Sequence, residues 1–313
     1  VKTLNDLGGL HTEEDFFNQN TIFSPTITNK YNDLKIHQCP LNGPGIVVLL
    51  MMELNKKLQI KQYPPASFER YHLQAEITKV CYEFKETVLG DPNFNVINIQ
   101  EILNDTFISE LCSKIDINKV YFSEKSNVTS NPETVYLSVV DREQNSVSFI
   151  NSICHSFGSG ISTQNSGILF QNRGVNFRLE EGHPNVIEGN KRPLHTIIPG
   201  LLTNMSNETV LSYGVMGGQY QPVGQTHVLQ NILDYDLTVQ EAIDFPRTFA
   251  LNNILKIENS VDKEITKKLK NIGHNTRVSS NAIGGGQCIK IDRQAGILIG
   301  GSDPRKDGMA IGY

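Results

Sequence analysis

No stretch of this chain is basic enough to track a phosphate backbone. Its 28 Lys and Arg are scattered among 33 Asp and Glu, for a net charge of -5, which excludes DNA and RNA as expected partners. Cysteine is scarce: Cys39, Cys81, Cys112, Cys154 and Cys288, with no two closer than 31 positions. An odd number at such spacing suggests neither a zinc ribbon nor a disulfide framework, and a reducing, cytoplasmic setting is the expectation. Long apolar runs are missing too. The longest, 45–52, falls far short of the roughly 20 residues that span a bilayer, and no basic and apolar leader opens the chain, so no membrane association is expected. His183, His227 and His274 lack the i, i+4 or carboxylate spacing of a metal site, and no glycine cluster ends in the Lys-Ser/Thr pair of a phosphate loop; neither a metal nor another cofactor is expected. The chain begins at Val1 rather than Met, from which an upstream segment is expected.

What is present is ordinary for a globular protein, 38% hydrophobic and 19% charged, enough for one large core or two modest ones. The first 120 or so residues read mainly as helices. Residues 46–54 are apolar on nearly all faces, 67–87 places Phe68, Leu73, Ile77, Val80, Cys81 and Phe84 on one side, and shorter patterns follow at 97–103 and 107–115. Residues 123–133, SEKSNVTSNPE, have the composition of an exposed, cleavable loop, and a boundary belongs there. Beyond it the texture changes to strands. Residues 135–141 and 146–153, joined by a polar turn, read as an antiparallel hairpin with Thr134 at its mouth. Further strands are expected at 166–171, 196–202, 209–215, 286–291 and 296–301. Thr238 and Glu241 make a capping box for one helix, which stops before Phe245-Pro246; Ser260 is expected to cap another, stopped by Gly273.

Thr134 carries the sharpest chemical expectation. If the Glu133–Thr134 bond were cut, one residue would supply both nucleophile and base, because a free α-amine with a pKa of about 8 takes the hydroxyl proton directly or through water. Gly214-Val215-Met216-Gly217-Gly218 follows a strand and precedes a helix expected to start near Gln225, so its amides either point at an oxyanion or form a plain tight turn. Phe157-Gly158-Ser159-Gly160 and Gly284-Gly285-Gly286 carry the same two readings.

The order and spacing of these pieces resemble the γ-glutamyltransferases of the N-terminal-nucleophile hydrolase superfamily. The matching stretches are TVYLSVVD from Thr134, FGSG from Phe157, SGILFQN from Ser166, NKRPL from Asn190, MGG from Met216 and SDPR from Ser302; upstream, NGPGI from Asn42 and LGDP from Leu89 also fit. The resemblance implies an α+β fold, a four-layer αββα sandwich. Residues 1–133 would be the C-terminal part of a large-subunit region and 134–313 the small catalytic subunit, the two staying associated after cleavage between Glu133 and Thr134. It makes Thr134 the nucleophile of both autoprocessing and turnover, Ser152 the second hydroxyl that hydrogen-bonds it, and Gly217 and Gly218 the oxyanion hole. An upstream segment with strands of the sandwich and a carboxylate-binding arginine is also implied.

Departures from the family pattern fall on the substrate-binding positions Cys154, Asn172, Arg173, Asn176, His195 and Thr196. Cys154 stands for an asparagine, Arg173 for a glutamine, Asn176 for the aspartate that binds the donor ammonium, and His195-Thr196 for a pair of serines. Arg173 offers a planar fork suited to a carboxylate; a surface loop arginine is its plainer reading. QNRG from Gln171, HPN from His183 and RPLHT from Arg192 look like a side branch named γ-glutamyltransferase-like, cephalosporin-acylase-like or oxamate amidohydrolase. The expected activity is hydrolysis or acyl transfer on a γ-glutamyl amide such as glutathione, or on a related small amide. The alternatives are an oxamate- or cephalosporin-acylase-type amidohydrolase and a catalytically silent binding protein, with a homo-oligomer left open. His155 reads equally as a packed strand residue or a proton carrier, Cys154 lacks a paired base, and the Asn-X-Ser/Thr matches at Asn104, Asn127, Asn204 and Asn207 need no function.

Overall fold

The computed structural model describes residues 1–123 and 134–312; Glu133 and the linker 124–133 lie outside them. After two short helices, α1 (Lys2–Asn5) and α2 (Glu13–Phe17), come strands β1 (Ile27–Tyr31) and β2 (Leu34–Gln38), then helices α3 (Gly45–Lys57), α4 (Phe68–Val88), α5 (Ile99–Ile102) and α6 (Asp105–Ser113). After Thr134 the chain forms β3 (Val135–Val140), β4 (Ser146–Asn151), β5 (Gly200–Asn204), β6 (Thr209–Met216), α7 (Gln221–Leu233), α8 (Val239–Asp244), β7 (Thr248–Leu251), β8 (Ile254–Ile257), α9 (Lys263–Asn271), β9 (Asn275–Val278), β10 (Gly285–Asp292) and β11 (Ile297–Ser302).

An antiparallel sheet of order β1-β2-β5-β6-β10-β11 is the central layer, so strands from before and after Thr134 share one ladder through β2 and β5. The β1–β2 hairpin corrects the mainly helical reading of the first third. Its turn was visible as Asn32-Asp33, with Asn32 in the left-handed region at φ 52° that asparagine tolerates. Helix α3 is buried all round, Ile46 to Met52 being at most 1% exposed, because it packs between β1, β2, α4, α6 and α7. Each of those leucines and valines contributes about 1.5–3 kcal/mol by leaving water. Ser67 caps α4 by accepting from Arg70 N at 3.2 Å.

The β3–β4 hairpin lies on the other face of the sheet, over β6 and β10. Its inner contact is a network of hydroxyls. Tyr136 Oη meets Ser138 Oγ and Ser148 Oγ, both at 2.8 Å; Ser138 Oγ meets Ser212 Oγ at 2.6 Å; and Ser148 Oγ donates to Tyr213 O and accepts from Gly200 N. The Tyr136 ring lies flat on Gly214, where an added Cβ would come within 2.2 Å of it. The outward face, Val135, Leu137, Val139, Val147 and Phe149, is apolar and exposed.

A second sheet, β7-β8-β9, was not foreseen. Its strands are four residues each, and β8–α9–β9 is a crossover joining a parallel pair. Three other expectations are corrected. Asp262, not Ser260, caps α9, accepting from Glu264 N at 2.7 Å. Residues 166–171 form only an isolated bridge, Ser162 with Leu169, where Gly167 turns the chain at φ 66°. The strand expected from 196 starts at Gly200, because Pro199 has no N–H to give a ladder.

Two of the motifs prove to be clasps. Asp303 Oδ2 accepts from Arg247 Nη2 at 2.6 Å and from Gly286 N at 2.7 Å. Arg305 forks onto Glu258 at 2.7 and 2.8 Å, so the SDPR segment fastens β10 and β11 to α8 and β7. Asp91 of the LGDP segment likewise holds Arg192 of NKRPL.

Candidate active site

Side chains alternate along β3, and those facing the sheet are 136 and 138, opposite Gly214 and Ser212 of β6. Thr134 immediately precedes β3, and Met216 is the last residue of β6, where the glycine turn begins. On the partner strand Val135 pairs with Asn151 as the terminal pair of the ladder, and Thr134 and Ser152 are the next residues beyond it on either strand. Thr134 Oγ1 is buried and has no hydrogen-bond partner among the described residues, so the bond expected from Ser152 is not made.

Gly217 takes φ 130° and Gly218 φ 56°. A Cβ on Gly217 would lie 2.8 Å from Gly284 Cα, so the glycines at 217 and 284 permit a backbone approach no other residue allows. Neither N–H of 217 or 218 has a hydrogen-bond acceptor among the described residues. Helix α7 starts at once, at Gln221 with Pro222 in its first turn, not near Gln225 as expected, so these amides lead straight into a helix N-terminus.

Arg173 reaches under the hairpin mouth and donates from Nη2 to Ser152 O at 2.8 Å. Its Nη1 is buried without a partner, and it has no ion pair among the described residues. Burial depresses the guanidinium, and only the Cys154 thiol pulls the other way. Cys154, in the left-handed region at φ 81°, donates its N–H to Ser152 Oγ at 3.0 Å. Burial raises its thiol pKa against Arg173 and Asn176, so it stays a thiol rather than a nucleophilic thiolate.

His195 stacks over Gly43, whose Cβ would come 2.5 Å from the ring, and its buried Nδ1 is unpartnered. Burial, then the charges of Arg173 and Arg192, push it down to about 4, so the ring is neutral at pH 7. Asn176 spends its amide on Leu194 O at 2.9 Å, and Asn172 gives both ends of its side chain to His155, whose Nδ1 is thereby tied. Asn176, His195 and the buried Thr196 line a cleft of about 120 Å³ with Lys85, Glu86, Val175, Phe177, Arg178, His183, Asn185, Leu194 and Gln219. Sequence reasoning missed the charged side of this cleft. Lys85 and Glu86 sit near the end of a helix read for its apolar stripe, and their partners are some 90 to 130 positions away.

Elsewhere, His72, Glu76 and His274 bring ligand-type atoms within 4.8 Å of one another. His72 Nε2 donates to Asp116 O, so its Nδ1 accepts from His274 Nε2 at 2.8 Å. The cation beside Glu76 is already present as Lys79 Nζ at 2.6 Å. This network holds α4 to β9 and to the segment before residue 123.

The family model described as gamma-glutamyltranspeptidase matches residues 1–313. The chain belongs to this family. It is 33% identical over its whole length to the glutathione hydrolase-like YwrD proenzyme of Bacillus subtilis, covering 60% of that protein. It is 30% identical over 86% of its length to the oxamate amidohydrolase proenzyme of Klebsiella pneumoniae, covering 52%. Among solved structures it resembles the cephalosporin acylase of Bacillus halodurans, with a TM-score of 0.88 and 31% identity over 99% of this chain and 57% of that one. Its structural neighbours are N-terminal-nucleophile hydrolases, and the described residues are themselves a mixture of helix and sheet. The chain thus spans little more than half the length of these relatives.

Proposed function

We propose that this chain is the catalytic part of an autoprocessed threonine amidohydrolase whose acyl donor is a small amide bearing a carboxylate. The observation that carries this reading is the half-buried Arg173, whose Nη1 is shielded from water and unpartnered. It is anchored to Ser152 O through Nη2, its Nη1 is unsatisfied, and Ser152 follows Asn151, the ladder partner of Val135 next to Thr134. A guanidinium nitrogen shielded from water and unsatisfied, with no carboxylate among the described residues, is costly, and a donor carboxylate supplies the missing partner. Asn176, engaged with Leu194 O, offers no anion to a substrate ammonium, which disfavours an amino-acid headgroup.

In maturation, Thr134 Oγ1 attacks the carbonyl carbon of residue 133. The peptide C–N bond breaks as an ester forms, the hydroxyl proton passing to the leaving nitrogen to give the free Thr134 α-amine, and water then hydrolyses the ester, restoring the Thr134 hydroxyl and leaving a carboxylate on residue 133. In turnover that amine takes the hydroxyl proton as Oγ1 attacks the donor amide. The Gly217 and Gly218 amides hold the oxyanion, the proton passes to the leaving nitrogen, and water then cleaves the acyl ester. The family resemblance supports Ser152 as the residue that orients the nucleophile, through a bond not made among the described residues. The family resemblance and the exposed apolar face of the hairpin support the four-layer sandwich, with a further layer over that face.

The reading is tested by intact mass and N-terminal sequencing of the full-length protein and of Thr134→Ala, with ammonia release from oxamate and hydrolysis of γ-glutamyl-p-nitroanilide assayed in parallel. A fragment beginning Thr134-Val135-Tyr136 in wild type alone, with oxamate preferred, is expected. Preference for the γ-glutamyl substrate favours the second reading, glutathione hydrolysis, which the YwrD likeness supports. An uncut wild type overturns the mechanism.

A further inference from the structure

Helix α4 enters the cleft from the part of the chain before Thr134 and grips the residue that follows the two glycines. Tyr82 Oη donates to the backbone O of Gln219. One turn on, Lys85 Nζ donates to Gln219 Oε1 at 2.9 Å. The same ammonium pairs with Glu86, whose other oxygen takes Arg178 Nη2 at 2.5 Å, while Glu86 O accepts from His183 Nε2 at 2.7 Å. Arg178 ends the segment that begins with Arg173. One chain of contacts therefore joins the glycine turn to the arginine loop. Lys85 is only 4% exposed and Tyr82 3%. Burial works against the Glu86 carboxyl, yet the Lys85 and Arg178 charges hold it below the usual range, so it is ionised.

We propose that Tyr82 and Lys85 are positioning residues that fix Gln219, and with it the Gly217 and Gly218 amides, relative to the Arg173 loop. The inference rests on the oxyanion role proposed for those glycines. The turn has strong need of such a brace. Gly217 and Gly218 both lie in the left-handed half of backbone space, where glycine has many alternatives, and an amide displaced by about 1 Å forfeits much of its hold on an oxyanion. Phe249 packs edge-on to the Tyr82 ring at 6.1 Å and to Tyr220 at 5.3 Å, which limits Tyr82 to this placement. The bonds to Gln219 are directional, so they set where the turn sits as well as whether it folds.

The test uses the full-length precursor and follows appearance of the Thr134-initiated fragment, then kcat and KM for the matured enzyme with oxamate. Lys85→Met and Tyr82→Phe are compared with Lys85→Arg, with Thr134→Ala, and with Lys79→Met, which breaks a buried pair on the same helix away from the cleft. We expect Lys85→Met to slow cleavage and lower kcat by roughly 10- to 100-fold with KM little changed. Tyr82→Phe should do the same to a smaller extent, and Lys85→Arg should recover most of the loss. Lys79→Met should lower Tm without slowing cleavage of the folded fraction. Cleavage at the wild-type rate in both Tyr82→Phe and Lys85→Met, with Thr134→Ala still uncut, overturns this inference alone. Equal losses in Lys79→Met also overturn it, since the effect would then be one of stability. A Thr134→Ala protein that still matures removes the mechanism beneath it.

Discussion

The Asp91 carboxylate accepts from Arg192 three times, from the backbone N–H at 2.8 Å, from Nε at 3.1 Å and from Nη2 at 2.8 Å. Asp91 is fully buried and lies before the proposed cut; Arg192 lies after it, three residues from His195. Burial pushes this carboxyl up, but the Arg192 bonds prevail and hold it below its ordinary value. Asp91→Asn should cost about 2 kcal/mol, less than a wholly buried pair because Arg192 is partly exposed. Urea unfolding at pH 7 checks this, and co-elution of the two fragments in gel filtration should weaken in parallel.

Arg173→Met should raise KM for a carboxylate-bearing donor roughly 10- to 100-fold, the worth of a charge-assisted hydrogen bond. Arg173→Lys should recover part of it, lacking the fork that bonds Ser152 O and substrate together. A KM for oxamate unchanged in Arg173→Met would remove the carboxylate from the reading.

Acid should unfold the protein through its buried neutral histidines. His195 is pushed down to about 4, His274 to about 3 by burial and then by Lys79 and His72, and His227 well below its ordinary 6.5 by burial and the charges of nearby arginines. Each depressed base gives stability that is complete above about pH 6.5, where folded and unfolded rings are both neutral. That stability is lost as pH falls toward 4, where only the unfolded chain takes the protons. Thermal unfolding from pH 7.5 to 4.5 should show a falling Tm, and His274→Asn should flatten the slope.

Asp303→Asn should destabilise by about 3–5 kcal/mol, because it leaves the Arg247 guanidinium, 1% exposed, without its anion. Replacing both members by apolar residues of similar volume should cost less than the single change. Chemical denaturation of the three proteins decides this.

Much of the site was legible because its pieces are local. The alternation from Val135 and the polar turn gave the hairpin, which put Thr134 at its mouth, and the Thr238–Glu241 capping box is present as expected, with both bonds made. The helix after Gly218 carried its start signal in Pro222, which the expected start near Gln225 overlooked. Four-residue strands such as β7 and β8 are too short to show a period, and their partner β9 arrives only after a helix. Lys85 was illegible for a different reason: nothing near it in sequence explains a buried ammonium, since Gln219 is brought to it by the fold alone.

The hydroxyls between the hairpin and the sheet have one more consequence. Apolar layers can glide over one another with little change in energy, whereas Tyr136, Ser138, Ser148 and Ser212 meet in only one alignment. They act as an index pin. A slip of the hairpin by a single pair would break the bonds that cross to the sheet, Ser138 to Ser212, Ser148 to Tyr213 O and Gly200 N to Ser148, and would shift Thr134 relative to the glycine turn, so how far the nucleophile protrudes is decided at Ser138 and Ser212, well away from the chemistry.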